Sequence, residues 1–352
     1  RFVKMQRYQE RRIMSTTIKD ISKETGLSLA TISKYINGGT VRPENKKLID
    51  EAIQKLSYVP RNTARGLRSS KTYRVGLICG PPSNPHNSVL LKYIEKNMRA
   101  RGYSLIFMSN DLYKGRTHEF FLQMLRAGID GMIITSFLLD SDVRSAIRNA
   151  GIPIVKLEEC DNFDQTDCVQ TSCTTGAYEI VEHLIKMGHT QIATIGGPVQ
   201  SKTMYERKTG YLRAINDYGI SVNPNYIIDG DCSTSCFGYE AMHNLWSLPT
   251  RPTAIFVTNY TLCLGLYEAI YDLGIVIPEE LSVVSFDDFE LSQLLSPQLT
   301  AVRQPLEGLA EQASNLLIRR MNGDYSDFPR RIRLKPECIY RDSVCNLLSN
   351  SQ

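Results

Sequence analysis

The sequence predicts an α/β protein: a small head of three short helices, then a body of two doubly wound parallel-sheet subdomains. Three observations carry that expectation. Residues 17–37 read as two amphipathic helical segments meeting at Gly26. From Tyr73 the texture changes to short apolar runs separated by amphipathic helical patterns, the alternation that parallel sheets covered by helices require. Charge divides at the same place: residues 1–72 hold 16 Lys+Arg against 6 Asp+Glu, net +10, leaving 25 against 31, net −6, for the remainder. At 352 residues the chain has room for two or three domains and a large core.

In the head, Ile18, Ile21, Leu27, Ile32, Tyr35 and Ile36 fall at helical spacings that let both segments bury one shared face. Gly26 permits the positive φ that ends the first helix, Leu27 plugs the angle, and Ser28 can cap the second. This is helix-turn-helix spacing. Turning Ile32, Tyr35 and Ile36 inward leaves Leu29, Ala30, Ser33, Lys34 and Asn37 on the other face, small, polar and basic enough for a major groove. An ordinary surface helical hairpin is the competing reading of this stretch taken alone. A third helical pattern covers 43–56, with Leu48, Ile49, Ala52, Ile53 and Leu56 inward and Pro43 suited to its first turn. Tyr58-Val59-Pro60 stops it and closes a domain over 16–60. Residues 61–72 are polar, basic and too poor in apolar side chains to fold alone, so they are expected to be a hinge. Residues 1–15 are expected to be disordered or a mis-annotated extension, with residues 1–13 lying upstream of a true start at Met14.

In the body, candidate strands are 75–79, 105–108, 131–135, 154–157, 192–195, 227–229, 254–257 and 283–286. Ligands of open parallel sheets bind beyond the carboxyl ends of the strands, and two such sheets facing each other make a cleft. Nine cysteines are scattered, with Cys232 and Cys236 the nearest pair, and no CxxC or neighbouring His completes a zinc site. Reduced thiols and no metal or other cofactor are expected. No apolar run approaches membrane-spanning length, and the basic start lacks the apolar core of a signal peptide, which predicts a cytoplasmic protein. No GxSxG elbow, Walker loop, HExxH or strand-linked GxGxxG occurs, so an enzyme is not expected. The adjacent acids Asp287 and Asp288 lack further ligands at metal spacing.

The head sequence TIKDISKETGLSLATISKYING at 17–38, followed by LSYVPRNTARGLRS at 56–69, closely resembles the DNA-binding headpiece and hinge of the LacI/GalR family of bacterial transcription regulators. The body matches too, through SNP at 83–85, GIDGMII at 128–134, GAYEIVEHLIKMGHTQIATIGG at 176–197, ERKTGY at 206–211, LSVVSFDDFELSQLLSPQLTAVRQP at 281–305 and IYRDS at 339–343. For the head the resemblance implies a homodimer that sets two recognition helices in successive major grooves of a pseudo-palindromic double-stranded operator. Leu29, Ala30 and Lys34 match base-touching positions. Leu29 and Ala30 cannot make bidentate hydrogen bonds and would pack on thymine methyls or tolerate several bases, while Lys34 can approach guanine O6 and N7. Thr17, Ser28, Thr31, Ser33, Asn37 and Tyr58 match positions that hold phosphates. The hinge Ala64-Arg65-Gly66-Leu67-Arg68 resembles a segment that becomes helical on the operator, with Leu67 as the minor-groove wedge and Ala64 among the DNA contacts.

For the body the resemblance implies a periplasmic-binding-protein-like fold over 73–343, an effector-binding and dimerisation domain whose chain crosses three times between subdomains, near 170–172, 302–305 and 323–328. The N-subdomain would hold about 73–170 and 304–324, the C-subdomain about 171–302 and 327–343, with 344–352 a tail. Arg207, Asn259 and Asp287 match effector-binding positions, Gln304 lies at the second crossing and is counted with them, and Asn84, His86, Asn110 and Glu158 fall at strand ends facing the cleft. Two departures stand out: Asn259-Tyr260 replaces the usual AsnAsp, and His86-Asn87 replaces an aromatic pair. Tyr260 could stack on a pyranose face or pack on the sheet, and His86 could contact ligand or be a hydrogen-bonded core residue. Helices over 87–101 and 120–127 would pair across the dimer axis, and the residues after Ser343 are too few for a tetramerising heptad helix. The expected function is a ligand-responsive repressor of a sugar-utilisation operon, with a sugar or sugar phosphate as effector. The alternatives are a catabolite-control regulator driven by a phosphocarrier protein, a cytosolic sugar-binding protein and a sugar-acting enzyme.

Overall fold

The structure, a computed structural model, describes residues 16–36, 39–58, 71–109, 117–135, 145–146, 149–158, 160 and 166–348. The chain divides into two compact units, residues 1–73 and 74–352.

The first unit contains α1 (Ile18–Thr25), α2 (Leu29–Ile36) and α3 (Pro43–Lys55). The Asp20 carboxylate accepts from both the Thr17 N–H (2.8 Å) and the Thr17 hydroxyl (2.7 Å), fixing the start of α1. Gly26 ends it at φ 70° and ψ 4°, where its N–H donates to the Ser22 carbonyl and a side chain bearing Cβ would be strained. The Ser28 hydroxyl then accepts from the Thr31 N–H at 3.2 Å and starts α2. Ile21, Ile32 and Ile49 are fully buried and Ala52 nearly so, with Ile18, Leu27, Tyr35, Ile36, Ile53, Leu56 and Tyr58 packed around them. Leu48, expected inward, is instead 45% exposed. Ile49, Ala52, Ile53 and Leu56 already form a complete i, i+3, i+4, i+7 stripe, and Leu48 lies about 100° away from its first member.

The second unit contains two six-stranded sheets joined by crossings. The first sheet has the order β11-β5-β4-β3-β1-β2 and the second β12-β10-β9-β8-β6-β7. In chain order the elements are β1 (Arg74–Cys79), α4 (Pro85–Ala100), β2 (Ser104–Ser109), α5 (Thr117–Arg126), β3 (Gly131–Ile134), β4 (Ile154–Leu157) and β5 (Asp167–Thr171). The chain then enters the second sheet with α6 (Cys173–Lys186), β6 (Ile192–Gly196), α7 (Lys202–Asp217), β7 (Ile227–Asp229), α8 (Ser235–Trp246), β8 (Ala254–Val257), α9 (Tyr260–Leu273), β9 (Ser282–Phe286), α10 (Glu290–Leu294) and β10 (Thr300–Arg303). It returns to the first as α11 (Leu306–Met321) and β11 (Arg331–Leu334), and finishes on the second as β12 (Glu337–Ile339). Every pairing is parallel except β10 with β12. Strands buried on both sides read as near-continuous apolar runs, which is why 75–79 and 254–257 were legible.

Four strands are not evident from the sequence: β5, β10, β11 and β12. DCVQT and RIRL mix charge with short apolar content, and TAVR and ECI are too short to show a period. One boundary is corrected as a result. Residues 327–334 were expected in the second subdomain, yet β11 pairs with β5 from Arg331↔Cys168 to Leu334↔Thr171 and so completes the first sheet. Arg320 of α11 holds it there through Asp167, donating at 2.7 and 3.0 Å, while the Arg330 N–H reaches the same carboxylate at 2.8 Å. The third crossing therefore falls at Lys335-Pro336, not 323–328.

The expectation of reduced thiols also meets an exception. Cys160 and Cys168 are paired, with Cα atoms 5.9 Å apart, while the other seven cysteines are free. Eight residues of separation conceal the pair in the sequence; the turn after β4 brings Cys160 back over the neighbouring strand. Among the described residues no helix is long and apolar enough to cross a membrane.

Candidate functional site

Two surfaces qualify. On the head, Thr17, Ser28, Leu29, Ala30 and Lys34 are exposed, Leu29 at 43%, whereas Thr31 and Ser33 are half-buried along the flank of α2. The exposed face of α2 is thus short, small and singly charged. The Thr17 hydroxyl is already committed to Asp20, so that hydroxyl reaches a phosphate only by exchanging partners. Tyr58 packs against the head's core. Asn37, Ala64 and Leu67 lie outside the described residues, as do residues 61–70 of the hinge over 61–72.

On the body, a cavity of about 260 Å³ opens at the carboxyl ends of both sheets. It brings together Asn84, His86 and Glu158 from the first subdomain, Arg207, Asn259, Tyr260 and Asp287 from the second, and Gln304 from the crossing after β10. Asn110 lies outside the described residues. Asn84 caps α4, accepting from the His86 N–H at 3.0 Å, with Pro85 in the first turn. That cap aims the His86 ring into the cavity, where Nε2 meets the Glu158 carboxylate at 2.8 Å. Both acidic residues occupy left-handed backbone, Glu158 at φ 73° and Asp287 at φ 83°, conformations that cost on the order of 1–3 kcal/mol and recur at ligand clamps.

A chain of hydrogen bonds spans the subdomains. The Thr171 hydroxyl donates to Gln304 Oε1 at 2.8 Å, and Gln304 Nε2 donates to Asp287 Oδ1 at 2.6 Å while lying 3.5 Å from His86 Nδ1. Asp287 Oδ2 accepts from the Tyr260 N–H at 3.3 Å and faces Arg207 Nη1 at 3.6 Å. The Arg207 guanidinium is flat against the Phe286 ring, 3.9 Å from its centroid, donates to the Thr258 carbonyl, and keeps its buried Nε without a hydrogen bond. A buried donor left unmatched costs about 1–3 kcal/mol, and the Cys173 thiol is the group that the structure sets against the same guanidinium.

Burial alone would push the His86 imidazole down, but the Glu158 carboxylate beside it outweighs that and raises its pKa. Arg207 is likewise held charged: desolvation opposes it, and Asp287, Cys173 and Glu158 together outweigh that burial and raise its pKa. Asn259 is spent on structure, its carbonyl oxygen capping α9 through the Leu262 N–H and its amide donating to the Cys232 carbonyl, both at 2.8 Å. The Tyr260 ring sits edge-on to Phe289, 5.4 Å between centroids, at the cavity wall.

The sequence reading missed Ser83, Asn87, Thr203, Ser233 and Thr261, which also line the cavity. Thr203, Ser233 and Thr261 follow β6, β7 and β8 within a few residues, so the strand-end rule would have found them. Asn87 carries no such signal; it is buried and donates to the Pro81 carbonyl at 3.1 Å. Among the described residues no cluster of His, Cys, Asp and Glu is arranged to hold a metal ion.

A helix-turn-helix head on a two-subdomain body with a polar cavity at the junction defines a class, the helix-turn-helix DNA-binding regulators that carry a ligand-binding body. A family model for the bacterial regulatory proteins of the lacI family matches residues 17–61, and one for the periplasmic binding protein-like domain matches 181–344. Catabolite control protein A of Priestia megaterium is 31% identical over 329 residues, covering 92% of this chain and 99% of that protein. The chain belongs to the LacI family of bacterial transcription regulators. Among solved structures, a transcriptional regulator CelR–cellobiose complex is 25% identical with a TM-score of 0.71, covering 93% of this chain and 99% of that one. The lac repressor dimer bound to operator and the anti-inducer ONPF, 23% identical, shares the fold with a TM-score of 0.83 over 94% of this chain and 99% of its own.

Proposed function

We propose that this protein is a dimeric repressor of a sugar-utilisation operon, released from or driven onto a pseudo-palindromic operator by a small sugar bound in the cavity around Arg207. The observation that carries the reading is the cross-subdomain network itself. Gln304, on a crossing strand, touches Asp287 of one subdomain and lies against His86 of the other, so a ligand entering there must alter how the two halves are held. At about 260 Å³ the cavity is below the ~300–1,000 Å³ of sites for drug-sized ligands, a size for a small polar molecule. Its donors and acceptors are dense and its described charges cancel: His86 faces Glu158 and Arg207 faces Asp287. That balance favours a neutral polyhydroxyl ligand over a sugar phosphate, since no described lining cation is left to neutralise a phosphate.

On the head, Leu29 and Ala30 read by apolar contact and Lys34 supplies the polar base contact, while Ser28, Thr31, Ser33, Asn37 and Tyr58 fix register and Leu67 wedges the minor groove at the operator centre. A second reading is supported by the likeness to Catabolite control protein A: a phosphocarrier protein on the first subdomain would replace the sugar as the signal. A thermal-shift screen of neutral sugars and sugar phosphates separates these. A ligand at about 100 times its Kd adds roughly 2.7 kcal/mol to the body. A neutral sugar hit that disappears in Arg207→Gln supports the sugar reading. Hits confined to phosphates would overturn the charge argument, and no hit with either class would turn the assignment to the protein partner.

A further inference from the structure

The cysteine pair next to the cavity is the feature the assigned function leaves unused. β4 ends at Leu157, and Glu158, in its left-handed conformation, turns the chain. Its N–H donates to the Val169 carbonyl at 2.8 Å and its own carbonyl accepts from the Cys160 N–H at 3.1 Å. This turn lays Cys160 over β5, its Cα 5.9 Å from that of Cys168, inside the ~4.4–6.8 Å over which a disulfide bridges without backbone movement. Both side chains are nearly fully buried, at 2% and 3% exposure. The other seven cysteines form no disulfide.

Two neighbours suit this pair to chemistry. In the sheet register Cys168 lies between Lys156 of β4 and Arg331 of β11, and side chains at matched positions of adjacent strands share one face. Burial disfavours a thiolate, and cations on the same face offset that penalty, favouring the form that attacks an oxidant. The Cys160 carbonyl, for its part, accepts from Lys202 Nζ at 2.5 Å, a residue at the start of α7 in the other subdomain. The segment from Glu158 to Cys160 therefore carries a cavity carboxylate, a thiol and a contact across the cleft within three residues.

We propose that Cys160 and Cys168 are a reversible thiol-oxidation site whose disulfide form fixes the Glu158 corner of the cavity. The oxidant is a peroxide. One thiolate attacks the O–O bond of hydrogen peroxide, forming a sulfenic acid and releasing water after protonation; the second thiol displaces the sulfenic oxygen as water and closes the S–S bond. The sum is two thiols and one peroxide to one disulfide and two waters. A dithiol reductant reverses it by exchange. In the disulfide form Cys160 is tied covalently to β5, and the left-handed turn at Glu158 is tethered with it. In the dithiol form that turn can relax, and Glu158 then spends less time against His86. Tighter ligand binding in the oxidised form rests on the sugar reading above; the thiol chemistry and its effect on His86 do not.

The test uses the full chain, reduced with dithiothreitol, freed of it, and treated with one equivalent of hydrogen peroxide. Unfolding in N-ethylmaleimide and peptide mass analysis should find Cys160 linked to Cys168, and the other seven cysteines labelled. Labelling of both, or linkage to a different cysteine, overturns the site. NMR titration of the His86 ring, assigned by loss of its signal in His86→Asn, should give a higher pKa in the oxidised protein than in the reduced one. Cys168→Ser should show the reduced value under both conditions. Identical titrations in the two forms overturn the coupling to the cavity. Neutral-sugar hits from the thermal-shift screen should bind at least threefold tighter after oxidation, and equal affinity overturns the effect on binding. If no sugar binds either form while linkage and His86 shift are both found, the sugar reading fails and the oxidation site stands.

Discussion

His86 is the residue at which sequence left two readings open, ligand contact or hydrogen-bonded core, and the structure makes it a cavity-wall ion-pair partner. Its pairing with Glu158 raises its pKa despite burial, so the imidazolium contributes stability fully at pH below the ordinary histidine pKa and loses it as pH rises through the elevated folded value. Denaturant titrations of wild type and His86→Asn should therefore diverge at acidic pH, by about 2 kcal/mol as expected for a hydrogen bond to a charged group, and converge at alkaline pH. A difference that grows with pH would contradict the pairing. Arg207 and Asp287 were legible because short motifs carry them, whereas Glu158 and Gln304 were reached only through strand ends and a crossing. What no residue pattern conveys is the commitment of Asn259 to a helix cap, since capping and ligand binding ask for the same amide. Nor could the sequence reveal that Asn84 works on the His86 backbone and not, by that contact, on a ligand.

Among elements, packing of α8 on α9 illustrates what apolar periodicity cannot foresee. The two helices meet at Gly238 and Gly265 so closely that a Cβ on Gly265 would lie 1.8 Å from the Ser235 carbonyl oxygen and one on Gly238 would lie 2.2 Å from that of Leu262. Backbone cannot yield as a side chain can. Gly265→Ala should cost about 1–3 kcal/mol through overpacking, which for a unit of this size lowers Tm by roughly 2–4 °C per kcal/mol; an unchanged melting curve would refute the close approach. Buried strands made of continuous apolar residues announced themselves, whereas β5, equally buried but reading DCVQT, did not; α1 and α2 were legible through Gly26 and its flanking apolar residues. The edge strands β2 and β7 were legible, but β11 was not: with Arg331 exposed and held by the buried Arg320–Asp167 pair, it reads as surface loop until its partner strand is known. The misplacement of the third crossing follows from that one strand.

At the scale of the whole molecule, a basic head with a sparse reading face sits on the same chain as a body whose two halves meet at a hydrogen-bonded crossing. On the proposed reading, which puts Leu29 and Ala30 at the base-contacting positions, specificity is expected to draw on Lys34, on the Leu67 wedge and on operator deformability. Leu67→Ala should weaken binding to operator much more than to nonspecific duplex in a gel-shift titration, and equal losses would remove the wedge. The central claim is that the cavity and the DNA-binding face are coupled, and coupling of binding free energies is reciprocal. The most direct test titrates the sugar identified by thermal shift against the protein alone and against its complex with an operator selected from random duplexes, then titrates operator with and without that sugar. The account predicts that both comparisons change affinity by one and the same factor, about 5–150-fold for couplings of 1–3 kcal/mol. Unchanged affinities in both titrations would contradict it.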